Sequence, residues 1–266
     1  MAPEGSTGEM DPNSRLVPWN RHRPRGRNGI KALLDTRQTT PLSNPIIQDI
    51  HSMGKHFFNK RLNAFNALEI KFDSSILLPL IQIASNNIGE DYHTLNPRWP
   101  SNILWISNNN KKSYNLFLKI FNELGVEAVM KNFISHRETI VMYNGFYVTR
   151  SKCSATNFHT DWPDGNNDGF TLITPLIHPP GNPDLAYLDK DSNQRTYKYE
   201  MGKAINFGSN FIHSTEIGHS DAPSVLLSMT YGTDMMELWE PNYQIVDPNS
   251  LFYRLPNGAF VDKNNK

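Results

Sequence analysis

Seven short β-branched or aromatic segments fill the chain from residue 139 to 231, at spacings near ten residues. They cover 139–149, 170–177, 184–188, 195–199, 203–207, 211–215 and 224–231, with Gly, Pro, Asn and Asp between them. Strands this short bury a face only by closing on one another, so the pattern predicts an antiparallel sandwich or barrel. The region before it, about 43–135, reads as mostly helical with a strand or two. Ile46, Ile47, Ile50 and Met53 fall at helical spacing, and 74–90 holds an apolar group with Gly89 as a stop. Residues 102–106 read as a short buried strand. The clearest helix follows Asn108, Asn109 and Asn110, with Tyr114, Phe117, Ile120, Phe121 and Leu124 on one face and Gly125 just past its end. Helices first and strands second predict helices packed outside a β core.

The remaining segments set the domain boundaries. Residues 1–42 are small, polar and turn-rich, with four arginines and one histidine between Arg21 and Arg27, and read as a flexible N-terminal arm. Residues 43–266 read as one domain: helical support to 135, a β core over about 138–235, and a C-terminal extension, 236–266, whose polar end is expected to fray. At 266 residues this matches a single mainly-β domain. Basic and acidic residues balance at 26 each, which gives no cationic field for nucleic acid. The longest dense apolar stretch, 76–84, is broken by Pro79 and Gln82 and is too short to span a membrane. A single cysteine, Cys153, excludes an internal disulfide framework and multi-cysteine metal sites. With no apolar leader at the N-terminus, a cytoplasmic location is expected.

The chemistry concentrates in Asn157-Phe158-His159-Thr160-Asp161-Trp162. At a strand end, the two-residue step from His159 to Asp161 puts an imidazole and a carboxylate on one face. Downstream, 202–214 reads as strand, turn and a histidine, His213, opening the next strand; in a closed barrel that histidine faces back toward the pair. Two histidines and one carboxylate form the facial triad of non-heme Fe(II) oxygenases, which leaves coordination positions open. His219, after Gly218, is the rival third ligand, and His178, before two prolines, reads as a loop histidine. Asp164 to Gly169 imitates the start of an EF-hand loop, but Pro175 stands where its closing Glu belongs.

With the phrase Gly-Lys-Ala-Ile-Asn-Phe-Gly-Ser-Asn-Phe-Ile-His before the distal histidine, the region from about 139 to 233 resembles the core of the Fe(II)/2-oxoglutarate-dependent oxygenases. His-Thr-Asp-Trp followed by Asp168-Gly169 is similar to their phytanoyl-CoA and ectoine hydroxylase branch. The resemblance implies an α+β, mainly β fold: a double-stranded β-helix (jelly-roll or cupin-like) flanked by N-terminal helices. It implies Fe(II) on His159, Asp161 and His213, with 2-oxoglutarate and O2 as cosubstrates and a small molecule as substrate. It also implies hydroxylation, or a related desaturation or cyclisation, because Asp161 occupies the coordination position that halide takes in the family's halogenases. The aromatic residues Tyr143, Phe146, Tyr147 and Trp162 are candidate pocket walls.

The sequence departs from that family in one place. An arginine is expected about eleven residues after the distal histidine, to meet the far carboxylate of 2-oxoglutarate; this chain has Ser224 there and no basic residue nearby. Arg150, on the strand leading into the site, is the candidate substitute, ahead of Lys152, with Thr215 and Ser224 adding hydroxyl donors. The missing arginine keeps open a metal-binding cupin without 2-oxoglutarate chemistry: an isomerase, a dioxygenase that uses its substrate as chelator, or a small-molecule binder. A catalytically silent interaction protein is the third reading, opposed by the intact triad.

Overall fold

A computed structural model describes residues 57–61, 67–86, 88–95, 103–162 and 168–265. The N-terminal arm, the helical spacing at 46–53 and the loop 163–167 lie outside the described residues. The strands are β1 (Phe57–Arg61), β2 (Ala67–Lys71), β3 (Tyr92–Thr94), β4 (Ile103–Asn108), β5 (Val141–Cys153), β6 (Gly169–Ile177), β7 (Leu185–Leu188), β8 (Gln194–Tyr197), β9 (Lys203–Phe207), β10 (His213–Thr215), β11 (Gly218–Gly232), β12 (Phe252–Arg254) and β13 (Phe260–Asp262). The α-helices are α1 (Leu78–Asn86), α2 (Lys111–Glu123), α3 (Val126–Met130) and α4 (Glu240–Val246). No helix among the described residues is long and apolar enough to cross a membrane.

Eight strands form one antiparallel sheet in the order β1-β2-β9-β6-β11-β5-β4-β3, and β10-β7-β8 form a second, smaller sheet. The two sheets enclose an apolar cluster of Ala67, Ile173, Leu185, Tyr197, Ile205, Phe207 and Phe211, with Leu226 packed against it. This is the barrel expected from the spacing of the segments, in the double-stranded β-helix form that the resemblance implied. Side chains alternate across a strand. Leu226 therefore marks the inner face of β11, and Val225, Leu227 and Met229 belong to the outer core.

That outer core is where the helices pack. Asn110 caps α2 by accepting the Ser113 N–H at 3.0 Å, and Ser113 Oγ accepts the Asn110 N–H in return. Gly125 follows the helix at φ 66°, as a left-handed stop position requires. Tyr114, Phe117, Ile120 and Phe121 are all buried, each contributing about 1.5–3 kcal/mol. Helix and sheet approach so closely that a Cβ on Gly145 would lie 2.5 Å from the Phe117 ring, so this position excludes any side chain.

Three expectations need correction. The front region holds more strands than the one or two expected: it gives the large sheet four, with β1 and β2 extending one end and β3 and β4 the other. The helix expected over 74–90 begins as a 3-10 turn at Ser74–Leu77 and ends at Asn86, before Gly89. The C-terminal extension does not fray. It forms α4 and the β12–β13 hairpin, with Phe252 and Tyr253 buried. Asn108 Nδ2 donates to the Phe252 carbonyl at 2.7 Å, and Lys263 pairs with Asp247 at 2.8 Å.

Candidate metal centre

Beyond the end of β5 the chain turns onto the small sheet, where His159 forms an isolated antiparallel bridge with His213. Each donates its backbone N–H to the other's carbonyl, at 3.0 and 2.9 Å. Main-chain pairing thus brings together two ligands 54 positions apart in sequence. Their Nε2 atoms both lie 3.5 Å from Asp161 Oδ1, and the three ligand atoms fall within 4.8 Å of one another. The expected triad is assembled, and the same geometry excludes His219. That residue sits within β11, its side chain is 64% exposed, and its nearest acid is Asp221.

Each ligand is held from behind. Nδ1–H of His159 donates to the Asn157 carbonyl at 2.7 Å, and Nδ1–H of His213 donates to the Phe211 carbonyl at 3.0 Å. In its neutral form each ring therefore presents an unprotonated Nε2 to the site, the tautomer that a metal needs. Phe211 stacks on the His213 ring and Phe207 packs against it. Thr171 donates its hydroxyl to Asp161 Oδ2 at 3.0 Å, and Trp162 Nε1 donates to Thr171 Oγ1 at 3.0 Å. Trp162 lies over Gly169, where a Cβ would come within 2.4 Å of the indole. Trp162 thus fixes the carboxylate through Thr171 rather than walling a pocket.

The electrostatics suit a cation. Burial alone would push the Asp161 carboxyl up, but His213, His159 and the Thr171 hydroxyl hold it down to about 2. Burial holds His213 down to about 4 against the pull of Asp161. Burial also works against protonation of His159, but Asp161 outweighs it and raises the ring above its ordinary value. The site is closed on the His213 side, 6% exposed, and open on the side of His159 and Asp161, 32% and 25% exposed.

Arg150 lies on the same inner face. It is the direct cross-strand partner of Ser224 on β11, two residues from inward-facing Leu226. Its Nε is buried and has no hydrogen-bond partner among the described residues. Burial lowers the guanidinium pKa, with Tyr199 and Cys153 close enough to counter it, and the Arg150 charge reaches His159. Thr215 shares the His213 face of β10, while Lys152 is exposed and pairs with His219. The β4 residues Trp105 and Ser107 face inward opposite Val148 and Phe146, and their buried Nε1 and Oγ also lack partners among the described residues.

Sequence reasoning missed the partners of His178 and misplaced three of the four aromatic residues. His178 does lie in the loop after β6, and there Nδ1 lies 2.8 Å from Ser224 Oγ and Nε2 lies 3.0 Å from Asp184 Oδ1. Tyr147 packs outward against Tyr92 and Phe117, and Tyr143 donates its hydroxyl to the Thr233 carbonyl against Trp239. Only Phe146 faces the interior, beside Trp105. Asp184 is only six residues on, but the sequence does not signal Ser224, which meets His178 through the pairing of β6 with β11.

No protein-family model and no curated protein matches the sequence. Among solved structures, a prolyl-4-hydroxylase from Pseudomonas putida aligns over 71% of this chain and 97% of its own, at 10% identity and a TM-score of 0.49. The non-heme alpha ketoglutarate dependent epimerase SnoN from nogalamycin biosynthesis aligns over 64% and 79%, at 8% identity and a TM-score of 0.49. HygX from Streptomyces hygroscopicus, with nickel and 2-oxoglutarate bound, aligns over 73% of this chain and 88% of its own, at 11% identity and a TM-score of 0.51. At that identity the HygX likeness is one of fold: the chain shares the barrel of a protein crystallised with 2-oxoglutarate.

Proposed function

We propose that the protein is a non-heme Fe(II)- and 2-oxoglutarate-dependent oxygenase acting on a small molecule. One observation carries this reading: two Nε2 atoms and a carboxylate converge within reach of the Arg150 charge, whose buried Nε has no hydrogen-bond partner among the described residues. The donor set fits Fe(II), with imidazole and carboxylate in a set of three and the remaining positions open. When bound, Fe(II) with 2-oxoglutarate and O2 supplies oxidation of an unactivated C–H bond, releasing succinate and CO2.

The protein's own residues position the reactants. His159, Asp161 and His213 hold the metal, and Thr171 and the Asn157 and Phe211 carbonyls keep the ligands from turning away. Arg150 meets the far carboxylate of 2-oxoglutarate, with hydroxyls from Ser224 and Thr215. The strand register supports this substitution: the usual arginine position holds Ser224, and its neighbour across the ladder is Arg150. A buried, desolvated carboxylate left unpaired would cost several kcal/mol, and a guanidinium is its best partner. Trp105 and Ser107 offer polar atoms to a substrate bound against Phe146. Asp161 fills the halide position, so hydroxylation, or a related desaturation or cyclisation, is the outcome.

Anaerobic addition of Fe(II) and then 2-oxoglutarate to the purified protein tests the reading. A visible metal-to-ligand charge-transfer band is expected. Fe(II) binding without that band would replace this reading with that of a metal-binding cupin, and screening metabolites for stimulated succinate release identifies the substrate.

A further inference from the structure

The hydrogen-bonded chain Ser224–His178–Asp184 is built into the barrel wall beside Arg150 and has no part in holding the metal. Asp184 Oδ1 accepts the Tyr199 backbone N–H at 3.0 Å and lies 3.0 Å from His178 Nε2. A carboxylate only accepts, so Nε2 carries a hydrogen and Nδ1 is left to engage Ser224 at 2.8 Å. The Tyr199 ring holds the imidazole edge-on, with centroids 5.4 Å apart. Ser224 is 4% exposed, and His178 and Asp184 side chains are 12% and 18% exposed. Sequestering three polar groups is unfavourable unless each is satisfied. Here the three satisfy one another and end at the serine whose cross-strand neighbour is Arg150, with its buried Nε lacking a hydrogen-bond partner among the described residues.

We propose that His178 is a positioning residue: backed by Asp184, it fixes the Ser224 hydroxyl beside Arg150, so that serine and arginine together bind the far carboxylate of a dicarboxylic 2-oxo acid. This rests on the oxygenase reading and adds His178 and Asp184 to its cosubstrate pocket. The Nδ1 contact holds the Ser224 hydroxyl in one rotamer, and Asp184 holds the ring from its other side, with the Tyr199 phenol and the Arg150 guanidinium as the other ionisable groups nearby.

The test is an anaerobic titration of Fe(II)-loaded protein, followed by the charge-transfer band. Two acids are compared: 2-oxoglutarate, and 2-oxovalerate, which has the same carbon chain without the far carboxylate. His178→Ala is expected to weaken 2-oxoglutarate about tenfold while leaving 2-oxovalerate and Fe(II) binding unchanged. Ser224→Ala should give the same loss, and the double variant no more, because His178 acts through Ser224. His178→Asn places an amide where Nδ1 stood and should recover most of the affinity; it also serves if the alanine variant folds poorly. Equal weakening for both acids, or additive losses in the double variant, overturns the proposal and leaves the oxygenase reading standing. A wild-type protein that binds neither acid overturns both.

Discussion

The two faces of the eight-stranded sheet follow opposite rules. The outer face, against α2, is aliphatic and aromatic, with Leu172, Leu227, Met229 and Tyr231 in one buried cluster with Phe117 and Phe121. The inner face holds Arg150 and looks onto Asp161, His159 and His213, and its apolar members only frame them. Both faces are carried by the same strands in alternation, so β11 presents Leu227 outward and Ser224 inward. Stability and chemistry are thereby separated by a single step along the chain. A substitution on one face should leave the other's property untouched.

The largest effect should come from the inner face. His159→Ala or His213→Ala is expected to lower Fe(II) affinity by orders of magnitude, since two ligands do not define a tight site, with little change in the unfolding midpoint of the metal-free protein. His219→Ala should leave Fe(II) binding intact, and calorimetric titration reads all three. The outer face should give the reverse. Phe117→Ala is expected to destabilise the fold by about 3–5 kcal/mol in denaturant unfolding while Fe(II) affinity in the folded protein holds. A large loss of metal affinity in that variant would break the separation.

Acid blurs the two properties, because the inner face has its own stability term. His213 is held at about 4 against an ordinary 6.5, so between those values the unfolded chain takes up a proton that the folded chain refuses. Stability of the metal-free protein should fall as pH drops from about 6.5 to about 4, by about 3 kcal/mol. His159 acts in the opposite sense: its raised pKa gives stability that is present at low pH and lost as pH rises through the folded value. His213→Ala should flatten the acid limb, and an unchanged slope in urea unfolding across pH would show that this ring is not buried neutral. The smallest of these effects is the most specific: Arg150→Ala is expected to weaken 2-oxoglutarate about 100-fold, roughly 2.7 kcal/mol, with Fe(II) affinity almost unaltered.

The same separation explains what could be read in advance. The strand ladder and the triad were legible because both depend on local signals: alternation within a strand, a two-residue step, and a histidine at a strand start. β1 and β2 were not, because they take their places only by adding to β9 at the sheet's end, and the segment 57–61, Phe-Phe-Asn-Lys-Arg, has no alternation of its own. The β12–β13 hairpin was misread as a fraying tail because its turn residues, Pro256, Asn257 and Gly258, and the polar end after it outweigh its short apolar strands. The pairing of Arg150 with Ser224 follows from register between strands 74 positions apart, which no periodicity reports.

The bridge between His159 and His213 also has a kinetic consequence. His159 and His213 meet only when the chain pairs across 54 residues, a long-range closure whose entropy is lost before its contacts form. Fe(II) then has little to grip in the unfolded chain or in a half-closed transition state. It should slow unfolding in proportion to its binding free energy while barely accelerating refolding. Metal loading would act as a latch on the finished barrel, not as a seed for it.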